Sequence, residues 1–217
     1  MNKLPQRVLS RGTPTRRQRL AVSTLTIGLS ALLVLTGCTT RPSGLEPLQR
    51  SGTTGYASGD DTIVEVPTAK RDAPVTFAGP LERGGNADST TWLGSVVVVN
   101  FWYAACGPCR AEAPDLQALN ERFSPKGVVF IGVNVRDSSG TAMSFEKEFG
   151  VTYASILDVN SGAVQYAFSG KAAPNAVPTT LVLDRTGRMA SRILGQLPSR
   201  DTLAALIQSA LSEGATK

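Results

Sequence analysis

An almost unbroken apolar run from Ser95 to Phe101 (SVVVVNF) leads through Trp102-Tyr103-Ala104-Ala105 into Cys106-Gly107-Pro108-Cys109, and from there into residues of helical period. A strand with no polar face must be covered on both sides, so the sheet that holds it carries helices on each face. That requirement excludes a helical bundle and a sheet with one wet face. Downstream, Leu116, Leu119 and Phe123 keep the helix period over Arg110 to Phe123, with Pro114 inside it as an expected kink. Val128 to Val135 (VVFIGVNV) reads as a second buried strand, and Ala142 to Phe149 and Gly162 to Phe168 as two short helices. A proline-containing loop, 172–177, feeds Pro178 and the run Thr179 to Asp184 (TTLVLD). Arg185-Thr186-Gly187 turns the chain, and Arg188 to Leu194 returns as a hairpin partner. A last helix, Ser199 to Leu211, puts Leu203, Leu206, Ile207 and Ala210 on one face and is capped at Ser199. This order predicts one α/β domain over 62–217: a mixed central sheet flanked by helices, with an extra helical insertion before Pro178.

The 22 basic and 17 acidic residues give a net charge of +5, but the charge is unevenly placed. Lys3, Arg7, Arg11, Arg16, Arg17 and Arg19 precede Cys38, and no acid does. The 16 bases that remain face 17 acids, so from Cys38 onward the chain is near −1 and no nucleic-acid partner is expected. Histidine is absent, which excludes Ser-His-Asp triads, Cys-His nucleophile pairs and histidine-containing zinc or copper sites. Three cysteines cannot make a Cys₄ zinc site. No metal site is expected.

The basic region ending at Arg19 is followed by the apolar run Leu20 to Thr36 and by Gly37-Cys38, the layout of a signal peptide over residues 1–37. An uncleaved transmembrane anchor is the competing reading, at the short end of a span. Leu35-Thr36-Gly37-Cys38 resembles the bacterial lipobox, in which the cysteine sulfur is diacylated and becomes the first residue of the mature chain. Thr15-Arg16-Arg17 hints at twin-arginine export, but Arg19 stands where that signal has an apolar residue, which favours the general secretory route. Residues 39–61, rich in Gly, Ser and Thr, read as a flexible tether with a typical reach of about 25 Å. The expected location is the extracytoplasmic face of a bacterial membrane, held there by lipid on Cys38.

Cys-Gly-Pro-Cys at the end of a buried strand opens a helix, where unpaired N–H groups and the helix dipole stabilise a thiolate on Cys106. Cys109, one turn further in, can resolve a mixed disulfide. Gly107 leaves room for a substrate chain, and Pro108 is tolerated in the first turn, where no N–H is needed. A structural disulfide or half a metal site are the plainer alternatives, but no second cysteine pair is present. Glu112 follows Cys109 by three residues, on the same helical face. Turned inward it is a proton shuttle for the resolving thiol; turned outward it is an ordinary first-turn acid.

Asn100 to Cys109 resembles the active-site stretch of the thioredoxin superfamily, Val177-Pro178-Thr179 its cis-proline loop, and Asp184-Arg185-Thr186-Gly187-Arg188 the hairpin after it. With the lipobox and the segment 139–168, the domain is most similar to membrane-anchored TlpA/ResA-type reductases. The resemblance implies reduction of disulfides in extracytoplasmic proteins, often apocytochrome c, with electrons from a membrane thiol carrier. It implies no cofactor beyond a redox-active Cys106–Cys109 disulfide. It supports the proton-shuttle reading of Glu112, and gives Pro178 a cis bond facing the cysteines; on the plainer reading Pro178 is a simple strand start, and Pro174 competes for the cis role. Gly107, Pro108, Trp102, Val177 and Thr179 would form the substrate surface, Trp102 and Tyr103 being core and rim residues on the plainer reading. Two positions depart from the family: Ala105 replaces the Trp usual before the first cysteine, and Asn100 replaces thioredoxin's buried Asp. A thiol peroxidase, a copper chaperone and a non-catalytic surface lipoprotein are the alternatives. The first needs Thr and Arg around a single cysteine, and the second needs the missing histidine.

Overall fold

In the computed structural model, which describes residues 62–170 and 175–213, the run beginning at Ser95 is a six-residue strand buried at every position. The elements are β1 (Ile63–Glu65), β2 (Ala78–Pro80), β3 (Asn86–Asp88), β4 (Val97–Trp102), α1 (Gly107–Phe123), β5 (Val129–Asn134), α2 (Ser139–Phe149), β6 (Ser155–Leu157), α3 (Ala163–Ala167), β7 (Thr179–Leu183), β8 (Met189–Leu194) and α4 (Arg200–Ser212). Six strands form one mixed sheet in the order β1-β8-β7-β4-β5-β6. β4 pairs in parallel with β5 and antiparallel with β7, at the centre of the sheet. β2 and β3 form a separate hairpin joined to β6 by the bridge Leu81–Ile156. The expected signal peptide, Cys38, the tether and Pro174 lie outside the described residues.

Alternation along β4 sends its side chains to two cores. Val98 faces α1 and α4 and packs with Leu116, Leu119, Phe123, Leu203 and Ile207. Val97, Val99 and Phe101 face the other side with Ile131, Val133, Leu181, Val164 and Phe168. Each fully buried side chain of this size contributes about 1.5–3 kcal/mol relative to exposure. Asn100 shares the parity of Val98, so it points toward α1. Ser199 caps α4, its hydroxyl accepting the Thr202 N–H at 3.1 Å.

Three expectations need adjustment. The α1 helix continues through Pro114, whose ring is on the exposed side. The segment 139–168 is not wholly helical, because Ser155–Leu157 pairs with β5 as a strand. The three-residue strands β1, β2 and β3 were not expected at all.

The register places the two ends of the sheet. Phe101 lies opposite Thr179, Thr179 opposite Leu194, and the Leu194 N–H donates to the Thr62 carbonyl at 2.7 Å. This row is the end from which β4 runs into Cys106. At the other end Asp184 meets the buried guanidinium of Arg71, and Arg185 donates to the carbonyls of Leu211 and Glu213 at the close of α4.

Candidate functional site

Cys106 and Cys109 are joined by a disulfide, with their Cα atoms 5.2 Å apart. Cys106 is the N-cap of α1, and its Sγ accepts the Cys109 N–H at 3.2 Å. The nucleophile position is therefore set by helix capping: a negative sulfur here meets an amide donor and the positive helix end. The turn that presents it is closed by the Cys106 N–H donating to the Tyr103 carbonyl at 3.1 Å. Pro108 sits in the first turn of α1. A Cβ added at Gly107 would meet nothing within 4 Å, so no packing inside this chain demands glycine there.

Glu112 is 1% exposed and turned inward. One carboxylate oxygen accepts from Asn100 Nδ2 at 2.9 Å and the other from the Leu197 N–H at 2.9 Å. Burial raises its pKa to about 7, against the lowering effect of those two hydrogen bonds, and the charge of Asp115 adds to the rise. A carboxyl that titrates near neutrality, three residues after Cys109, is suited to carry a proton. Asn100 is not a proton carrier, but its amide also donates to Thr180 Oγ1 at 3.0 Å and so fixes the Glu112 carboxylate against the sheet.

The Val177–Pro178 peptide is cis. Pro178 is buried, and its carbonyl accepts the Gly195 N–H at 2.9 Å. Val177 packs against the cluster that contains Cys106, Cys109 and Trp102, which brings the loop and the cysteines together. Two residues expected on the substrate surface belong elsewhere. Trp102 is 4% exposed, stacks on Phe145 with ring centroids 4.3 Å apart and donates from Nε1 to Ser155 at 3.3 Å. Thr179 is fully buried and its hydroxyl donates to the Ala176 carbonyl, bracing the loop from within. Both are pulled inward because strand alternation at the sheet's end still points them into the core.

The sequence reading missed Asp137, which holds the loop before the nucleophile. Its Oδ2 accepts the Ala104 N–H at 2.6 Å and Asn134 Nδ2 at 2.7 Å, while Asn134 Oδ1 accepts the Asp137 N–H at 2.7 Å. It also missed Arg136, exposed beside the site with its guanidinium 4.2 Å from the Tyr103 ring centroid. The signal available was the Asn-x-x-Asp spacing after a buried strand, a turn-forming pattern.

A strand, a Cys-x-x-Cys helix cap and a cis-proline loop packed against it define a thiol–disulfide oxidoreductase of thioredoxin fold. Comparison with known proteins agrees. The Redoxin family model matches residues 66–207, and the chain belongs to that family. It is 32% identical over 143 residues to the thiol:disulfide interchange protein HelX of Rhodobacter capsulatus, covering 64% of this chain and 74% of that one. It is 31% identical over 157 residues to the DsbE homologue of Paracoccus denitrificans, covering 70% and 81% of the two chains. Among solved structures, the DsbF homologue of Corynebacterium diphtheriae superposes with a TM-score of 0.62 at 30% identity, over 73% of this chain and 99% of that one. No helix among the described residues is long and apolar enough to cross a membrane.

Proposed function

We propose that this protein reduces disulfide bonds of exported proteins through Cys106 and Cys109, with Glu112 as the acid–base group. One observation carries the reading: the capping sulfur of Cys106 and the buried carboxyl of Glu112 share the first turns of α1. In the dithiol form the Cys106 thiolate attacks one sulfur of the client disulfide. The client S–S bond breaks, a mixed disulfide forms, and the other client sulfur leaves as a thiolate. Glu112 takes the proton of Cys109, whose thiolate attacks Cys106 Sγ and expels the second client sulfur. Two electrons have then passed to the client and the Cys106–Cys109 disulfide has formed. A dithiol donor, assigned to a thiol carrier of the membrane, returns the pair to the reduced state. The redox-active disulfide is the only cofactor this cycle calls for.

The location follows from the N-terminal residues. Residues 1–37 act as a signal peptide, Cys38 is lipidated, and residues 39–61 tether the domain outside the cytoplasm. The client that fits best is the Cys-x-x-Cys of an apocytochrome c awaiting haem, because haem attachment needs both thiols reduced and the exterior tends to oxidise them. Support for this client is the resemblance to ResA-type reductases.

A Cys109→Ser variant tests the core of the proposal, since a mixed disulfide on Cys106 then cannot be resolved. Exported disulfide proteins, c-type apocytochromes among them, should be trapped covalently. Trapped species without any apocytochrome would remove the cytochrome assignment alone. Failure to reduce insulin disulfides in the presence of dithiothreitol, with peroxide consumed instead, would replace the reductase reading with a peroxidase. Intact mass of membrane-extracted protein should show a diacylglyceryl group on a chain starting at Cys38.

A further inference from the structure

The turn of the β2–β3 hairpin is fastened to the body of the domain at Glu82. The Glu82 N–H donates to the Ser155 carbonyl at 3.1 Å, its carbonyl accepts the Ser139 hydroxyl at 2.6 Å, and its Oε2 accepts the Ser155 N–H at 2.8 Å. Ser139 opens α2 and Ser155 opens β6, so three elements meet at this residue. Glu146, near the end of α2, comes to the same place. Arg83 reaches Glu82 Oε1 with Nε at 3.1 Å and Glu146 Oε2 with Nη2 at 3.0 Å, so both carboxyls lie within the span of one guanidinium.

The charges at this joint do not balance. The side chains of Glu82 and Glu146 are 0% and 1% exposed, while Arg83, the cation they share, is 55% exposed. Donors are short as well. The Oε1 atom of each glutamate is buried without a hydrogen-bond partner, the Arg83 contact to Glu82 being an ion pair that supplies none. The other groups around the pair add no positive charge. Ser155 is a neutral hydroxyl that already accepts from Trp102 Nε1. Tyr153 is a neutral phenol, its pKa pushed far above the ordinary range by burial and then by the charges of Glu112 and Glu146. On α2 itself Lys147 and Glu148 are exposed, and Glu148 is engaged with Arg110. A proton supplies what is missing, because it removes one negative charge and turns one bare acceptor into an O–H donor. Burial raises the pKa of Glu146 against the hydrogen bond from Arg83, and the charge of Glu82 adds to the rise.

We propose that Glu82 and Glu146 hold one proton between them beneath Arg83 and form a pH-sensitive latch that fastens the β2–β3 hairpin to α2. A carboxyl whose pKa is raised in the closed form stabilises that form at low pH, and the contribution is lost as pH rises through the raised value. The proton leaves to solvent beside the exposed Arg83, the two carboxylates repel, and the hairpin turn lets go of Ser139 and Ser155. Release reaches the redox site through Phe145, next to Glu146, whose ring lies 4.3 Å from that of Trp102 in the cluster that holds Cys106 and Cys109. Only this regulatory output rests on the reductase reading above; the latch itself does not.

The test is amide hydrogen exchange of the oxidised full chain from pH 4 to pH 9, each rate divided by that of an unstructured amide at the same pH. Opening at the Glu82, Phe145 and Ser155 N–H groups should increase by about tenfold across this range, the factor given by a one-unit difference in pKa between closed and open latch. Glu146→Gln copies the protonated partner: its Oε1 accepts from Arg83 and its Nε2 offers Glu82 the missing donor. Its amides should stay closed at every pH. Glu112 titrates in both proteins, so its effect cancels in the comparison. Parent amides at Glu82 or Phe145 that ignore pH overturn the proposal, and so does a Glu146→Gln variant with the parent's dependence. Should the variant not fold, the carboxyl carbon shifts of Glu82 and Glu146 in the parent decide. One proton must remain on the pair after the exposed glutamates have ionised, and two carboxyls that titrate along with them are equally fatal. Insulin reduction keeps the two readings apart: an inert cysteine pair with a working latch refutes the reductase alone, and an active pair without pH-dependent opening refutes the latch alone.

Discussion

Glu112→Gln should remove a loss of stability that the oxidised protein suffers as pH rises, while impairing its chemistry. The pKa of Glu112 in the fold is about 7 against a reference of 4.5, the rise being caused mainly by burial. A carboxyl whose folded pKa is raised binds its proton more tightly in the native state, so its contribution favours folding below the unfolded pKa. That contribution is lost as pH rises from about 4.5 to about 7, and the loss is complete above it. At 1.36 kcal/mol per pKa unit, ionising Glu112 costs about 3 kcal/mol of stability. Glutamine never ionises; its Oε1 can still accept from one of the two donors, Asn100 Nδ2 or the Leu197 N–H, while its Nε2 cannot accept from the other. The lost acceptor costs the same at every pH, so in urea unfolding the stability of the Gln variant relative to the wild type should rise by about 3 kcal/mol between pH 4 and pH 8. Groups common to both cancel in the difference, including Asp184 and Asp88, whose pKa values are lowered. A wild-type minus variant difference that stays flat between pH 4 and 8 would refute the assignment of a strained, ionisable Glu112.

Gly132→Ala should destabilise by about 1–3 kcal/mol in urea unfolding, since its Cβ would lie 2.3 Å from Ser155 Oγ and 2.7 Å from Trp102 Nε1; an unchanged midpoint would mean that strand β5 shifts freely. Arg71→Ala removes one of the two cations on Asp184, which keeps Arg188 Nε at 3.2 Å, and should cost about 1–3 kcal/mol, read as a lower melting temperature with the Cys106–Cys109 exchange rate kept in the folded fraction. Asp137→Ala leaves the Ala104 N–H without its acceptor, at about 1–3 kcal/mol, and should change the alkylation rate of reduced Cys106. An alkylation rate equal to the parent's would make Asp137 a purely structural residue.

The parts legible in the sequence are those whose residues act locally. β4, β5, β7 and α4 announce themselves because burial on both faces, or on one helical stripe, leaves a periodic signature. The place of Cys106 at the head of α1 follows from helix geometry; the same geometry puts Glu112 on the Cys109 face, but its burial had to come from the structure. β2 and β3 are illegible because three residues such as Ala-Gly-Pro or Asn-Ala-Asp have no period, and only the hairpin's contact with β6 makes them strands. Trp102 stays open in the sequence between core and substrate surface because an aromatic at the end of a strand reads the same whether it faces Phe145 or a client.

The row from Phe101 through Thr179 and Leu194 to Thr62 has a practical consequence for anyone who handles this molecule. Across three strand spacings of about 4.8 Å, Thr62 lies roughly 14 Å from the strand that delivers Cys106. Glu213 lies at the far end, beside Arg185. A surface, bead or fluorophore attached after α4 leaves the cysteines facing outward and free to meet large proteins. The same attachment made directly at Thr62, without the length of residues 39–61 between, mounts the protein by the end that carries the cysteines, and apparent inactivity in that geometry would report the mounting of the protein and not its chemistry.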